Sequence, residues 1–281
     1  MQFRSLLFVP GDRPDRFPKA MASATDALIL DLEDSVSPGN KEAAREAVNQ
    51  SLQAERIKPV LVRVNPRPSG LMEADLQAVL ASGPDGIVLP KAEGAADIAY
   101  VLELMGDKTV PILPIATETP AALFEMGSYR EVSAHLCGLT WGAEDLPAAT
   151  GASTAREEDG RYTPPYEWVR SLALFGAHAA GVQAIETVFP DIRNVDGLSA
   201  YASRARRDGF TAMMAIHPAQ CEPINQAFTP TPEEIQAARA IVEAFEAQPN
   251  AGVLQVNGKM VDAPHLHQAR NVLSLAGAAE T

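Results

Sequence analysis

The stretch ALILDLEDSV, Ala27–Val36, opens as an unbroken apolar run and then sets Asp31, Glu33 and Asp34 within four positions. A short continuous apolar run of this kind reads as a strand covered on both faces, as in parallel sheets, rather than one with a face in water. One carboxylate at the end of such a strand is ordinary, because the chain must leave the core. Three together repel one another unless a cation, an arginine or a water network sits among them.

Runs of the same character recur along the chain: SLLFVP (5–10), ALILDLE (27–33), VLVRVN (60–65), GIVLPK (86–91), PILPIATE (111–118), LCGLTWG (136–142), VQAIETVF (182–189) and AMMAIHP (212–218). Helix-like spacers such as KEAAREAVNQSLQAE (41–55) and PPYEWVRSLALFGAHAAG (164–181) lie between them. That alternation is the mark of an α/β protein. Eight such units over residues 1–225 predict a (β/α)8 TIM barrel. A doubly wound sheet is the alternative, weakened because no Gly-x-Gly-x-x-Gly loop follows the first strand.

After residue 225 the pattern changes. TPTPEEIQAARAIVEAFEAQ carries Thr231, Pro232 and Glu234 in capping-box order and then runs as an amphipathic helix. GVLQVNGKMVDAPHLHQARNVL reads as a hairpin turning at Asn257-Gly258, with Asp262 ending its second strand and a helix starting near Ala263. Residues 226–281 are therefore expected to form a separate C-terminal helical and hairpin extension that packs on its own barrel or on a neighbour's.

The formal net charge of -13 and pI near 4.8 argue against a nucleic-acid or anionic-membrane surface, each of which needs a basic patch. Cys137 and Cys221 lie in separate segments, which suits a reducing compartment rather than a disulfide framework. The N-terminal apolar run is too short and too soon charged for a signal peptide, and no later run has the length to cross a membrane. A cytoplasmic protein with no nucleic-acid or membrane partner is the expectation.

In a barrel of this type, function sits where the strands end and the βα loops converge. The polar residues collect there: Asp31, Glu33 and Asp34 after strand two, Arg63 and Asn65 on strand three, Lys91 on strand four, Glu118 on strand five, Glu144 and Asp145 after strand six, and His217 on strand eight. An all-oxygen set without Cys or clustered His favours Mg2+ or Mn2+ over Zn2+, and two carboxylates from adjacent strands would suffice.

The segments RSLLFVPGDRPDRFPKA, DALILDLEDSVSPGNKEAAR, VRVN, PIATETPAAL, LTWGAEDL, AIHPAQ and GKMVDAPHLHQAR resemble, in order, the successive motifs of the citrate lyase β-subunit and malyl-CoA lyase family. The resemblance implies a (β/α)8 barrel with a C-terminal lid that makes an oligomer contact, in homotrimers or hexamers. It also implies Mg2+-dependent cleavage or formation of a carbon–carbon bond in a hydroxyacyl thioester, with a CoA thioester and a 2-keto acid as partners. By motif, Glu118 and Asp145 are similar to the metal ligands and Arg63 to the active-site arginine. Glu33 and Asp34 would then accept hydrogen bonds from metal-bound waters and from Arg63. The backbone N–H groups of Ala143 and Glu144 would hold the keto-acid carboxylate, and Asp262 resembles the acid that exchanges a proton with the enolate carbon.

Plainer roles stand beside these. Glu118 also precedes an evident N-cap and first helical residue, Thr119-Pro120; Asp145 and Asp262 each have the position of a cap. Arg63 would pair with a strand-two acid in any barrel, as would Glu33 and Asp34 with a base. His217 reads as a strand-end residue, His265 and His267 as helix-face residues, and Cys137 as core. Two departures from the family pattern bear on the carrier: Ala212-Met213 replaces a common Gly-Lys, and Glu186 a common Asp. The leading reading is a CoA-ester lyase acting on malyl-CoA, citramalyl-CoA or a related ester. Its rivals are a citrate lyase β-subunit serving an acyl carrier protein and a malyl-CoA thioesterase.

Overall fold

The computed structural model describes residues 1–279 and divides them into two compact units, Met1–Asn225 and Gln226 onward. In the first, eight parallel strands run β1 Ser5–Pro10, β2 Ala27–Asp31, β3 Val60–Arg63, β4 Gly86–Leu89, β5 Ile112–Pro114, β6 Leu139–Thr140, β7 Ala184–Glu186 and β8 Ala212–Ala215. Each pairs with the next, and β8 pairs with β1 through Ser5↔Met213 and Leu6↔Met214. Only β5 and β6 lack a continuous ladder; the parallel bridges Ile112↔Leu136 and Ile115↔Thr140 join them. The result is a nearly closed (β/α)8 barrel, as the eight apolar runs predict.

Every run forms its strand, but several strands stop two to four residues before the run does. The ladder ends where the chain begins turning into a βα loop: on β5, Pro114 has no N–H to offer, and Thr117 and Glu118 already lead into a helix. Along each strand alternate residues share a face. Leu6, Ile29, Leu61, Val88, Leu113, Ile185 and Met214 fill the barrel interior, while their neighbours pack under the helices. Helix Lys41–Gln53 shows why those helices form: Ala44, Val48 and Leu52 recur every four residues and are buried, and the opposite face is charged. Helix Pro164–Ala180 ends at Gly181, whose φ of 70° provides the left-handed turn of a C-terminal stop.

The second unit comprises helix Pro232–Ala247, strands β9 Val253–Val256 and β10 Lys259–Asp262, and helix Ala263–Ala279, with the two helices packed together. Both halves of the capping box form: Thr231 accepts from the Glu234 N–H, and the Glu234 carboxylate accepts from that of Thr231. Asn257 and Gly258 take φ of 49° and 77°, as a tight two-residue hairpin turn requires. No described helix is long and apolar enough to cross a membrane.

Candidate active site

Asp31 and Arg63 stand opposite each other in the β2–β3 register. Counting by twos from Ile29 and Leu61, both point into the barrel mouth. Arg63 donates from Nε and Nη2 to the two carboxylate oxygens of Asp31 at 2.6 and 2.7 Å, and its guanidinium lies 4.8 Å from the Phe8 ring centroid. Asp31 also accepts from the backbone N–H groups of Glu33 and Ser35, which curls the chain away from the strand. Burial alone would raise the Asp31 pKa; the paired hydrogen bonds and charge of Arg63 outweigh it and hold the carboxyl below its usual range.

Glu33 is buried beside this pair. Its Oε1 accepts from Lys91 Nζ at 2.8 Å. Its Oε2 lies 3.0 Å from Arg63 Nη1 but off the line of the N–H, so this buried oxygen lacks a hydrogen bond. Burial chiefly pushes the Glu33 pKa upward. Asp34 is different: its side chain is 63% exposed and 3.9 Å from Arg63.

Lys91 connects three strand ends. Its backbone sits at φ 51°, a left-handed conformation uncommon for a residue with a side chain. There its N–H donates to Glu118 Oε2 at 2.7 Å, while its ammonium reaches Glu33 and, at 3.3 Å, Asp145 Oδ2. Burial opposes the Lys91 charge, but the hydrogen bond to Glu33 and the surrounding carboxylates prevail and raise its pKa.

Glu118 is 6% exposed. Burial pushes its carboxyl up to about 8, against the backbone hydrogen bond and charge of Lys91. The next residue, Thr119, caps helix Pro120–Glu125 by accepting from Ala122 N. Glu118 is therefore fixed between a strand and a helix start. The loop after β6 comes up against it at Gly142, where a Cβ would lie 3.1 Å from Glu118 Cγ and Oε1, a tight contact that would press on the Glu118 side chain. Thr117 Oγ1 donates to Gly142 O and accepts from Gly142 N, tying the β5 and β6 loops together. Ala143 is buried, and Glu144 is the N-cap residue of helix Asp145–Thr150 but makes no side-chain cap bond. Asp145 opens that helix, with its carboxylate toward Lys91.

Beside Arg63 opens a cavity of about 690 Å3, bordered by Phe8, Arg16, Lys19, Asp31 and Ile216. Arg16 and Lys19 add two cations to a lining that sets apolar Phe8, Val188 and Ile216 beside the charged Asp31, Asp34 and Arg63. His217, also in this lining, accepts from Ala219 N through Nδ1 and so stabilises the turn after β8.

The structure thus brings together Glu33, Arg63, Glu118 and Asp145 from four strand ends. Asp262 ends β10 in the second unit, where its Oδ1 lies 2.5 Å from His265 Nδ1; that bond lowers its pKa. Sequence reading placed Lys91 at a strand end but gave it no role, and nothing in the sequence signals its positive φ. It also gave Asp31 no role of its own: the two-residue period from Ile29 turns it inward, but its pairing with Arg63 depends on the β2–β3 register. Among the described residues no three His, Cys, Asp or Glu side chains surround a common point. The oxygen donors available to a hard cation are the carboxylates of Glu118 and Asp145, with the unbonded Glu33 Oε2 nearby to accept from a water.

The family model described as HpcH/HpaI aldolase/citrate lyase matches residues 4–218. A citrate lyase subunit beta-like protein of Mycobacterium tuberculosis is 37% identical over 97% of this chain and 95% of its own. A (3S)-malyl-CoA thioesterase of Cereibacter sphaeroides is 34% identical over 98% of this chain and 95% of its own. Among solved structures, the protein CitE of Mycobacterium tuberculosis in complex with magnesium, acetoacetate and coenzyme A superposes with a TM-score of 0.81 at 36% identity, covering 97% of each chain.

Proposed function

The chain belongs to the HpcH/HpaI aldolase/citrate lyase family, and from that premise we propose that it is a Mg2+-dependent carbon–carbon lyase. It cleaves, or forms, a hydroxyacyl-CoA such as malyl-CoA or citramalyl-CoA, giving a 2-keto acid and an acyl-CoA. The observation that carries this reading is the convergence of Glu33, Glu118 and Asp145 with Arg63 and Lys91 at the barrel mouth.

The residues present fit Mg2+: two carboxylates on adjacent strand ends, an outer carboxylate oxygen without a hydrogen bond, and no sulfur or histidine donors. Glu118 and Asp145 would hold the ion, which when bound supplies Lewis acidity to the substrate hydroxyl and carboxylate. Glu33 would accept from water near the ion, and Asp34 would serve from the exposed rim. Arg63, oriented by Asp31, binds the thioester oxygen as negative charge grows there. The N–H groups of Ala143 and Glu144 bind the keto-acid carboxylate. Asp262, carried on the C-terminal extension of a neighbouring chain in a homo-oligomer, exchanges a proton with the carbon freed by bond cleavage.

The cavity beside Arg63 suits a CoA thioester, with its apolar wall along the pantetheine arm and Arg16 and Lys19 against the phosphates. Ala212 and Met213, where a Gly-Lys pair is common, are buried in β8 and contribute no cation. The test is incubation of the purified protein with Mg2+, acyl-CoAs and glyoxylate, pyruvate or oxaloacetate, and of hydroxyacyl-CoAs in the reverse sense. Keto acid plus acyl-CoA supports the lyase. Free hydroxy acid plus CoA makes the protein a thioesterase, and turnover only on an acyl-carrier-protein ester makes it a citrate lyase β-subunit.

A further inference from the structure

Behind the β6 loop lies a polar chain that none of these roles uses. Glu186, at the end of β7, is fully buried, and its two carboxylate oxygens receive four hydrogen bonds. They come from Trp141 Nε1 at 2.5 Å, Arg170 Nε at 2.7 Å, and Thr187 N and Tyr201 Oη at 3.0 Å. Trp141, also fully buried, is the residue before Gly142. Its ring meets that of Tyr162 with centroids 5.1 Å apart. The Tyr162 hydroxyl accepts from Arg156 Nη2 at 2.7 Å, and the guanidinium lies 4.0 Å from the Tyr162 ring centroid. The same Nη2 comes within 3.9 Å of Glu144, the neighbour of Asp145.

A carboxylate with this many donors has one position available to it, and it fixes the indole that donates to it. The segment Trp141–Asp145 is consequently held by hydrogen bonds at two points, by Glu186 through the Trp141 indole and by Thr117 through Gly142, and Arg156 lies 3.9 Å from the largely exposed Glu144 at its far end. Thr117 adjoins Glu118. These contacts flank the backbone that leads to Asp145, and under the proposed function Glu118 and Asp145 converge on one small ion whose coordination geometry tolerates little error.

We propose that Glu186, Tyr162 and Arg156 are positioning residues for the reaction: acting through Trp141 and Glu144, they hold Asp145 at the divalent-ion site. The inference rests on the assignment of Asp145 under the proposed function. Glu186 is also a structural ion-pair partner of Arg170, so its removal alone would mix folding with positioning. Arg156 and Tyr162 lie at the outer end of the chain, where substitution removes the brace and leaves the barrel core in place.

The experiment measures direct Mn2+ binding by electron paramagnetic resonance on wild type, Tyr162→Phe, Arg156→Gln and Asp145→Asn, with thermal melts on each. In a Trp168→Phe background, which leaves Trp141 as the sole indole, its fluorescence is followed during the same titration. Wild type is expected to bind one ion and change its Trp141 emission, and Asp145→Asn to lose the ion. Tyr162→Phe and Arg156→Gln are expected to melt near wild type yet bind Mn2+ about 10-fold more weakly, the lower end of the effect of removing outer-shell partners. They should lose kcat without a matching rise in the KM for the CoA ester. Wild-type Mn2+ affinity and kcat in both folded variants would overturn the positioning role and leave the functional reading standing. Absence of an Asp145-dependent ion in the wild type would overturn the functional reading, and this inference with it.

Discussion

Asp31 and Arg63 face each other across β2 and β3 with two parallel hydrogen bonds of 2.6 and 2.7 Å, and Glu33 adds a second carboxylate 3.0 Å from the same guanidinium. The arginine is therefore held by the acids of the ALILDLEDSV stretch while one face of it lies along the cavity. Removing it by Arg63→Met leaves Asp31 buried and unpaired, at an expected cost of about 3–5 kcal/mol in urea unfolding. Arg63→Lys keeps a charge but not the fork, and kcat is expected to fall about 100-fold or more. Most of the wild-type kcat in that variant would reduce Arg63 to a structural role. Because the folded-state pKa of Asp31 is depressed, its contribution to stability is complete above the ordinary carboxyl value of 3.8 and is lost as the pH falls through the lower folded value.

Glu118 has the opposite sign. With its folded pKa raised from 4.5 to about 8, the native metal-free protein binds a proton there that the unfolded chain has released. Stability should therefore decline as pH rises between those values and level off above the upper one. Melting temperatures of EDTA-treated protein across that range check this, and Glu118→Gln should flatten the Glu118 part of the slope. A slope unchanged in Glu118→Gln would assign the pH dependence elsewhere.

Glu118→Gln and Asp145→Asn are each expected to abolish Mg2+-supported turnover while the circular dichroism spectrum stays native, because Mg2+ has few protein ligands to lose. EDTA should silence the wild type, and added Mg2+ should restore it. Normal turnover by either variant at modest Mg2+ would remove that residue from the metal site.

Asp262→Asn alone and Glu118→Gln alone should both be nearly inactive. Mixed as hetero-oligomers, they should regain activity at about a quarter of the sites, the chance that an intact barrel meets an intact neighbouring extension in a closed ring. Mass spectrometry establishes that mixed species form. If they form and remain inactive, Asp262 does not serve a neighbour. Near-normal activity of Asp262→Asn would leave it only as the hydrogen-bond partner of His265.

What could be read from the sequence follows the length scale of each cause. Apolar runs such as GIVLPK and the four-residue period of Ala44, Val48 and Leu52 are local, so the barrel and its helices were readable. The Asn257-Gly258 turn and the Thr231 capping box are local too. The pairing of Asp31 with Arg63 needed the strand register, which is a property of two segments together. The Lys91 contacts with Glu33, Asp145 and Glu118 join residues 27 to 58 positions apart through a backbone angle that lysine rarely adopts. The Glu186 network similarly depends on Trp141, Arg170 and Tyr201 arriving from separate elements. Such convergence emerges only after the ring of strands has formed.

The two isolated bridges between β5 and β6 give the barrel a seam. Every other neighbouring pair carries a ladder, whereas here the backbone bonds Cys137 N to Ile112 O and Ala116 N to Thr140 O do that work at 3.1 and 2.9 Å. Local opening is cheapest where the fewest bonds must break together, so those two amides should take up deuterium ahead of the amides in the β1–β2 ladder. The seam runs between the strands that lead to Glu118 and Asp145. An ion shared by those carboxylates would act as a clasp across it, and deuterium uptake at Ala116 and Cys137 should slow when Mg2+ is added to the wild type but not to Asp145→Asn.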